Sequence, residues 1–203
     1  LFLLLAVSAY FIVNIKITNT PATYIPDHLE SKILNDELLG EFNNEDTMVM
    51  LFQSKKALDP EMIGNMKNFI SDIEEFELVT KVRSIFNYES IRAIDGGFEI
   101  KNILDIDSSD ELNFDRVRGD VTNDRFVKDF FITQDMKTFG VIIEPNFIES
   151  SLTRQDLEAR ILEKISQYNL VDYMIAYGGE FAIDTYQYKE LDRMMSIIVP
   201  ITF

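Results

Sequence analysis

The sequence has no cysteine, a single histidine and far fewer basic than acidic residues. Without cysteine there is no disulfide framework and no thiol nucleophile. The compartment stays open, because many bacterial extracytoplasmic domains lack cysteine too. His28 is the only imidazole on which a nucleophilic triad could be built. Neither a glycine-rich phosphate loop nor a G-x-S-x-G motif is present. The 19 basic residues against 35 acidic ones leave a net charge of −16. Nucleic acids require the opposite footprint, and an anionic membrane face repels such a chain.

Charge is also missing from both ends. Residues 1–13, "LFLLLAVSAYFIV", and residues 194–203, "MMSIIVPITF", carry none, so every charged residue lies between Lys16 and Arg193. A membrane-spanning helix needs about 20 apolar residues, and each end supplies part of that. The chain begins with Leu rather than Met and is expected to be a fragment. Alternatively, the start is a signal-peptide core with a cleavage site at Val7–Ala9, and the end is an amphipathic core helix. Together the two ends point to two spans flanking one extracytoplasmic domain. Pro200 does not oppose this, since spanning helices tolerate proline when neighbours satisfy the freed carbonyl. Residues 1–13 are then the end of a first membrane helix and 14–183 the extracytoplasmic domain. Residues 184–203 are a connecting helix and the start of a second membrane helix.

What is there in quantity is apolar surface. At 203 residues, 46% hydrophobic and 12% aromatic, the chain can bury one large or two small cores and does not read as disordered. Ile15 and Ile17 alternate with polar residues, giving a short strand or extended exit that Pro21 and Pro26 keep from becoming helix. Asp27 can cap a helix from His28 to about Leu39, with Leu29, Ile33, Leu34 and Leu38 as its apolar face and Gly40 as its stop.

"TMVMLFQS", Thr47–Ser54, has the length and composition of a buried strand. Asp59-Pro60 is a cap followed by proline at the first helical position. Met62, Ile63, Met66, Phe69, Ile70 and Ile73 then recur at helical spacing. Val79, Val82, Ile85 and Phe86 mark the next strand. A second unit repeats this pattern: a strand at Thr138–Glu144, a helix over "LTRQDLEARILEKISQY", and a closing strand at Leu170–Tyr177. Thr153 with Asp156 forms a capping-box-like pair, and Leu152 with Leu157 a hydrophobic staple. Leu157, Ile161, Leu162 and Ile165 form the core face. Two such units predict an α+β, ferredoxin-like, split βαβ sandwich. Between them lies an inserted hairpin and helical segment. Asp95-Gly96-Gly97 is a hairpin turn, Ser108 and Glu111 cap a charged helix, "TNDRFVKDFF" is a short helix leading into a strand, and Gln134-Asp135 is a turn.

Candidate chemistry is sparse. His28, beside Asp27 and Glu30, lacks the matched ligands of a metal site and reads as surface. "DIDSSDELNFDR" offers Asp105, Asp107 and Ser109 in alternation but no glycine at the sixth position of a calcium loop. No carboxylate pair stands out among the acids, so the domain is read as non-enzymatic and without a cofactor. Gly178-Gly179 reads either as a strand terminator or as a flexible joint to the helix that follows from Asp184. Lys189 and Arg193 sit just before the uncharged run, where long side chains snorkel.

The order of these elements resembles the RND superfamily of exporters, in its MMPL-like or Patched-like branch. The resemblance is carried by "YIPDHLESK", by Phe42, Glu45 and Asp46 ahead of the first strand, by "FFITQDMKTFGVIIE" and by "GGEFAIDTY". It covers nearly the whole chain, with individually loose motifs. It implies a proton-motive-force-driven transporter of lipids or hydrophobic small molecules in a bacterial inner membrane, with this porter domain on the periplasmic side. The partners implied are the bilayer, a hydrophobic or lipid substrate, the rest of the transporter chain and a second copy of itself. Two rivals remain: the ligand-binding domain of a two-span sensor, and a secreted binding domain whose last ten residues pack into its own core.

Overall fold

The computed structural model describes residues 26, 28–34, 37, 46–94, 96–104, 114–124, 127–128, 130–146, 148 and 150–202. In chain order the elements are β1 (Met48–Gln53), α1 (Pro60–Glu74), β2 (Val79–Ser84), β3 (Glu89–Ile94), β4 (Gly97–Asn102), α2 (Phe114–Asn123), β5 (Thr138–Pro145), α3 (Ser151–Gln167), β6 (Met174–Gly178) and α4 (Glu180–Thr202).

Four strands form one antiparallel sheet in the order β2-β5-β1-β6. β5 lies between β1 and β2, and β1 lies between β5 and β6. Each strand-helix-strand unit is therefore split by a strand of the other. Alternation sets two faces. Met48, Met50 and Phe52 of β1 pair with Ile143, Val141 and Phe139 of β5, and all six are buried. α1 covers this face with Met62, Ile63, Met66, Phe69, Ile70 and Ile73, and α3 with Leu157, Ile161 and Ile165. Phe52 meets Phe69 edge-on at 6.1 Å. The opposite face carries Val49, Leu51 and Ile142.

The helix boundaries have local causes. Asp59 caps α1, accepting from the Glu61 amide and from the Ser54 hydroxyl, with Pro60 at the first position. α3 is capped by Ser150, which accepts from the Thr153 amide, and not by Thr153. Leu152 is 71% exposed, so the expected staple to Leu157 is not made. α3 ends at Gln167 with Tyr168 as its C-cap, and the next residue, Asn169, has positive φ; Leu170 N–H reaches Ile165 O and Asn169 N–H reaches Ser166 O. This left-handed cap satisfies the last carbonyls. It also explains why the closing strand starts at Met174 and not Leu170: Leu170 is used, fully buried, to finish the helix.

The hairpin β3–β4 turns at Gly96, φ +92°, where the sequence places it. "TNDRFVKDFF" is not a separate helix among the described residues. α2 ends at Asn123, and Asp124 accepts from the Val127 amide, the Ser90 hydroxyl and the Tyr88 hydroxyl. These bonds pin the segment beside β3 in a turn. The turn before β5 is as expected: Asp135 accepts from Thr133 and the Lys137 amide, holding its carboxyl below the usual range.

Toward the N-terminus, residues 30–34 and 37 are helical, but Leu29, Ile33 and Leu34 are exposed. The expected cap Asp27, the Ser108–Glu111 cap and residues 1–13 lie outside the described residues. Among the described residues no helix is long and apolar enough to cross a membrane. The flanking membrane helices of the sequence reading are therefore not part of the described architecture. α4 begins four residues before Asp184 because Phe181 and Ala182 pack into the domain, and Phe181 N–H donates to Thr47 O.

Candidate functional site

α4 is held to the domain by ions. Arg154 and Glu158 stand one turn apart on α3, both buried, and face α4. Arg154 Nη1 donates to Asp46 Oδ2 at 2.7 Å and to Ile148 O at 3.2 Å, and Nη2 to Asp184 Oδ2 at 3.5 Å. Its guanidinium sits 4.7 Å from the Phe181 ring centroid, a favourable cation–π placement. Glu158 accepts from the Tyr177 hydroxyl and from Lys189 Nζ. Burial, then the Glu158 hydrogen bond, push the Tyr177 phenol far up, so it stays a donor. One helix face thus ties together the approach to β1, the end of β6 and two turns of α4.

Arg154 is shared between two buried carboxylates, and burial lifts Asp184 above the usual carboxylate range; Arg154 opposes this and Asp46 adds to it. A raised folded-state pKa contributes stability that is complete below the unfolded value and lost as pH rises through the folded one. Asp184→Asn removes that loss. In urea unfolding, its stability relative to the parent should therefore rise from mild acid to neutral pH; a flat or falling difference would show that Arg154 dominates instead.

The last part of α4 leaves this anchor. Past Tyr188 no described side chain of α4 is buried, and Met194 and Ile197 are 56% and 54% exposed. Met194–Ile197, the part of the final run whose side chains are described, do not pack into the domain's own core, whereas the secreted reading requires that they do. Gly178 ends β6 with open space around it. Gly179 has φ +100°, and a Cβ there would lie 2.2 Å from Thr47 O. Glycine at 179 thus has a packing reason independent of bending. His28 is exposed, and among the described residues no three acidic, histidine or cysteine side chains are grouped to hold a metal.

The opposite sheet face forms a second candidate site. Phe130 and Phe131 cross it: Gly140 N–H donates to Phe131 O at 2.8 Å, and a Cβ on Gly140 would meet Phe130 O at 3.1 Å. With β2 and β5 they enclose an open groove of about 1180 Å³.

Sequence reasoning named neither Arg154 nor the groove. The signal for Arg154 was available: it falls three residues before Leu157 on the stripe that continues through Ile161 and Ile165, where a charge demands a partner. Compared with family models, with curated proteins and with solved structures, the chain matches none.

Proposed function

We propose that residues 14–183 are the extracytoplasmic porter domain of a proton-driven, RND-type transporter in a bacterial inner membrane. It is built on a ferredoxin-like, split βαβ sheet and contacts lipids or hydrophobic small molecules. It performs no catalysis and uses no cofactor. Residues from 184 connect it to a membrane helix that begins near Met194, and Gly178-Gly179 marks the junction. The observation that carries this is α4 itself. Its first turns are clamped by Arg154 and Glu158, while Met194, Met195 and Ile197 continue the same helix with apolar side chains exposed. A helix so clamped transmits movement between a domain and whatever holds its far end.

These 203 residues contain no cysteine, so single cysteines placed in them are labelled against a background set by the rest of the chain, with any cysteine there replaced by serine first. In spheroplasts expressing the full-length protein, an impermeant maleimide should label Gln167→Cys at once. It should leave Ile197→Cys unlabelled until detergent is added. Equal labelling of both would remove the membrane placement. The same cells should clear a hydrophobic dye until a protonophore is added; labelling as expected without clearance would favour the sensor.

A further inference from the structure

The groove under Phe130 joins two chemistries. Its wall is aromatic: Phe130, 62% exposed, stands edge-on to Phe131 at 5.0 Å, and Phe131 leans on Tyr88 at 5.9 Å. Ile142 lies on the floor. An exposed phenylalanine beside an apolar floor gains from any chain laid across it. The remaining lining is ionic. Arg83 pairs with Glu144, and Glu74 accepts from the Asn87 amide, so these charges are engaged inside the protein.

Lys81 and Lys128 line the same groove, and among the described residues neither ammonium makes a hydrogen bond or ion pair. Lys81 is exposed on β2 beside the floor and Lys128 half-buried beside the wall. Glu89 also lines the groove, and among the described residues its carboxylate makes no ion pair. On a molecule of net charge −16, the groove lining is locally neutral, Lys81, Arg83 and Lys128 standing against Glu74, Glu89 and Glu144. An anion repelled by the rest of the surface meets two unpaired ammonium groups here.

We propose that this groove binds a single-chain anionic amphiphile, its phosphate or carboxylate head held by Lys81 and Lys128 and its alkyl chain laid against Phe130 and Ile142. This deepens the porter reading by giving its hydrophobic substrate a charge. It rests on that reading for the ligand's onward path but not for its binding.

The full chain in nanodiscs of zwitterionic lipid is titrated calorimetrically with octyl phosphate, octyl glucoside, octyltrimethylammonium and inorganic phosphate, with empty discs as the blank. Octyl phosphate should bind about tenfold or more tighter than octyl glucoside, the effect of a charge-assisted hydrogen bond. The ammonium and inorganic phosphate should bind too weakly to measure. Lys81→Gln with Lys128→Gln should lower octyl phosphate to the octyl glucoside level and leave octyl glucoside unchanged. Phe130→Ala should weaken both, with circular dichroism confirming the fold of each variant. The proposal is overturned if the ammonium binds as well as the phosphate ester, if the lysine pair does not matter, or if none of the octyl compounds binds. Binding as expected beside full labelling of Ile197→Cys would sink the porter reading and keep the groove; protected Ile197→Cys without octyl phosphate binding would do the reverse.

Discussion

Replacing Arg154 by methionine should destabilise the protein by about 3–5 kcal/mol, the range for a buried ion pair that loses one partner. Methionine fills much of the volume, so the loss is not chiefly a cavity. It comes from Asp46 and Asp184, which keep their burial and lose the guanidinium between them. Phe181 also loses the cation over its ring. The effect should be local as well as global. Hydrogen exchange should rise first along α4, because Arg154 is its link to Asp46 and to the Ile148 carbonyl. A triple variant, Arg154→Met with Asp46→Asn and Asp184→Asn, should recover much of the stability, since a fully neutral replacement removes the uncompensated charge. Urea unfolding measures both. A loss under about 1 kcal/mol would place the arginine among exposed pairs of little consequence. If the triple variant is no better than the single one, packing is what Arg154 supplies.

Legibility in the sequence followed the range of the interactions. α1 could be read almost whole: Asp59-Pro60 sets its start, and the six apolar residues at helical spacing are the six it buries. Those rules act within a few residues. β1 and β5 were readable as strands, though β1 read as an apolar run and its alternation of faces emerges only in the sheet; the interleaving of the two units was readable too, because burying one sheet face under two helices leaves few arrangements. Misplacements occurred where a residue had two local uses. Leu170 can begin a strand or close a helix; Ile165 beside it decides for the helix. Leu152 can staple to Leu157, but Ser150 starts the helix earlier and leaves it outside. The anchor and the groove were not readable. Arg154 meets Asp46 across 108 positions, and Lys81 and Arg83 look like the outer face of any strand until Phe130 is laid over Gly140.

Gly179→Ala should cost roughly 3–5 kcal/mol, while Gly178→Ala should be close to neutral. The two glycines are adjacent in sequence and opposite in circumstance. Gly179 sits at φ +100°, where side-chain-bearing residues are strained whatever the space. A Cβ there would also lie 2.2 Å from Thr47 O, 3.0 Å from its carbonyl carbon and 3.3 Å from Met48 Cα. All three are backbone atoms, so no rotamer change relieves the contact. Thr47 O accepts the Phe181 amide at 3.2 Å, Met48 is fully buried, and Asp46 is bound to Arg154. Moving the strand aside would disturb α4 and its anchor together. Gly178 has nothing within reach of an added Cβ and a φ that any residue adopts. Replacing both glycines at once would therefore report on folding, not on bending. The separate substitutions divide the question. Thermal unfolding should lower the midpoint for Gly179→Ala alone, and equal midpoints would mean the strand yields. The Gly178→Ala protein, still folded, then tests the hinge. If the proposed transport is unchanged in it, bending does not occur at 178, and the junction works as a rigid coupling in which Gly179 permits closeness, not motion.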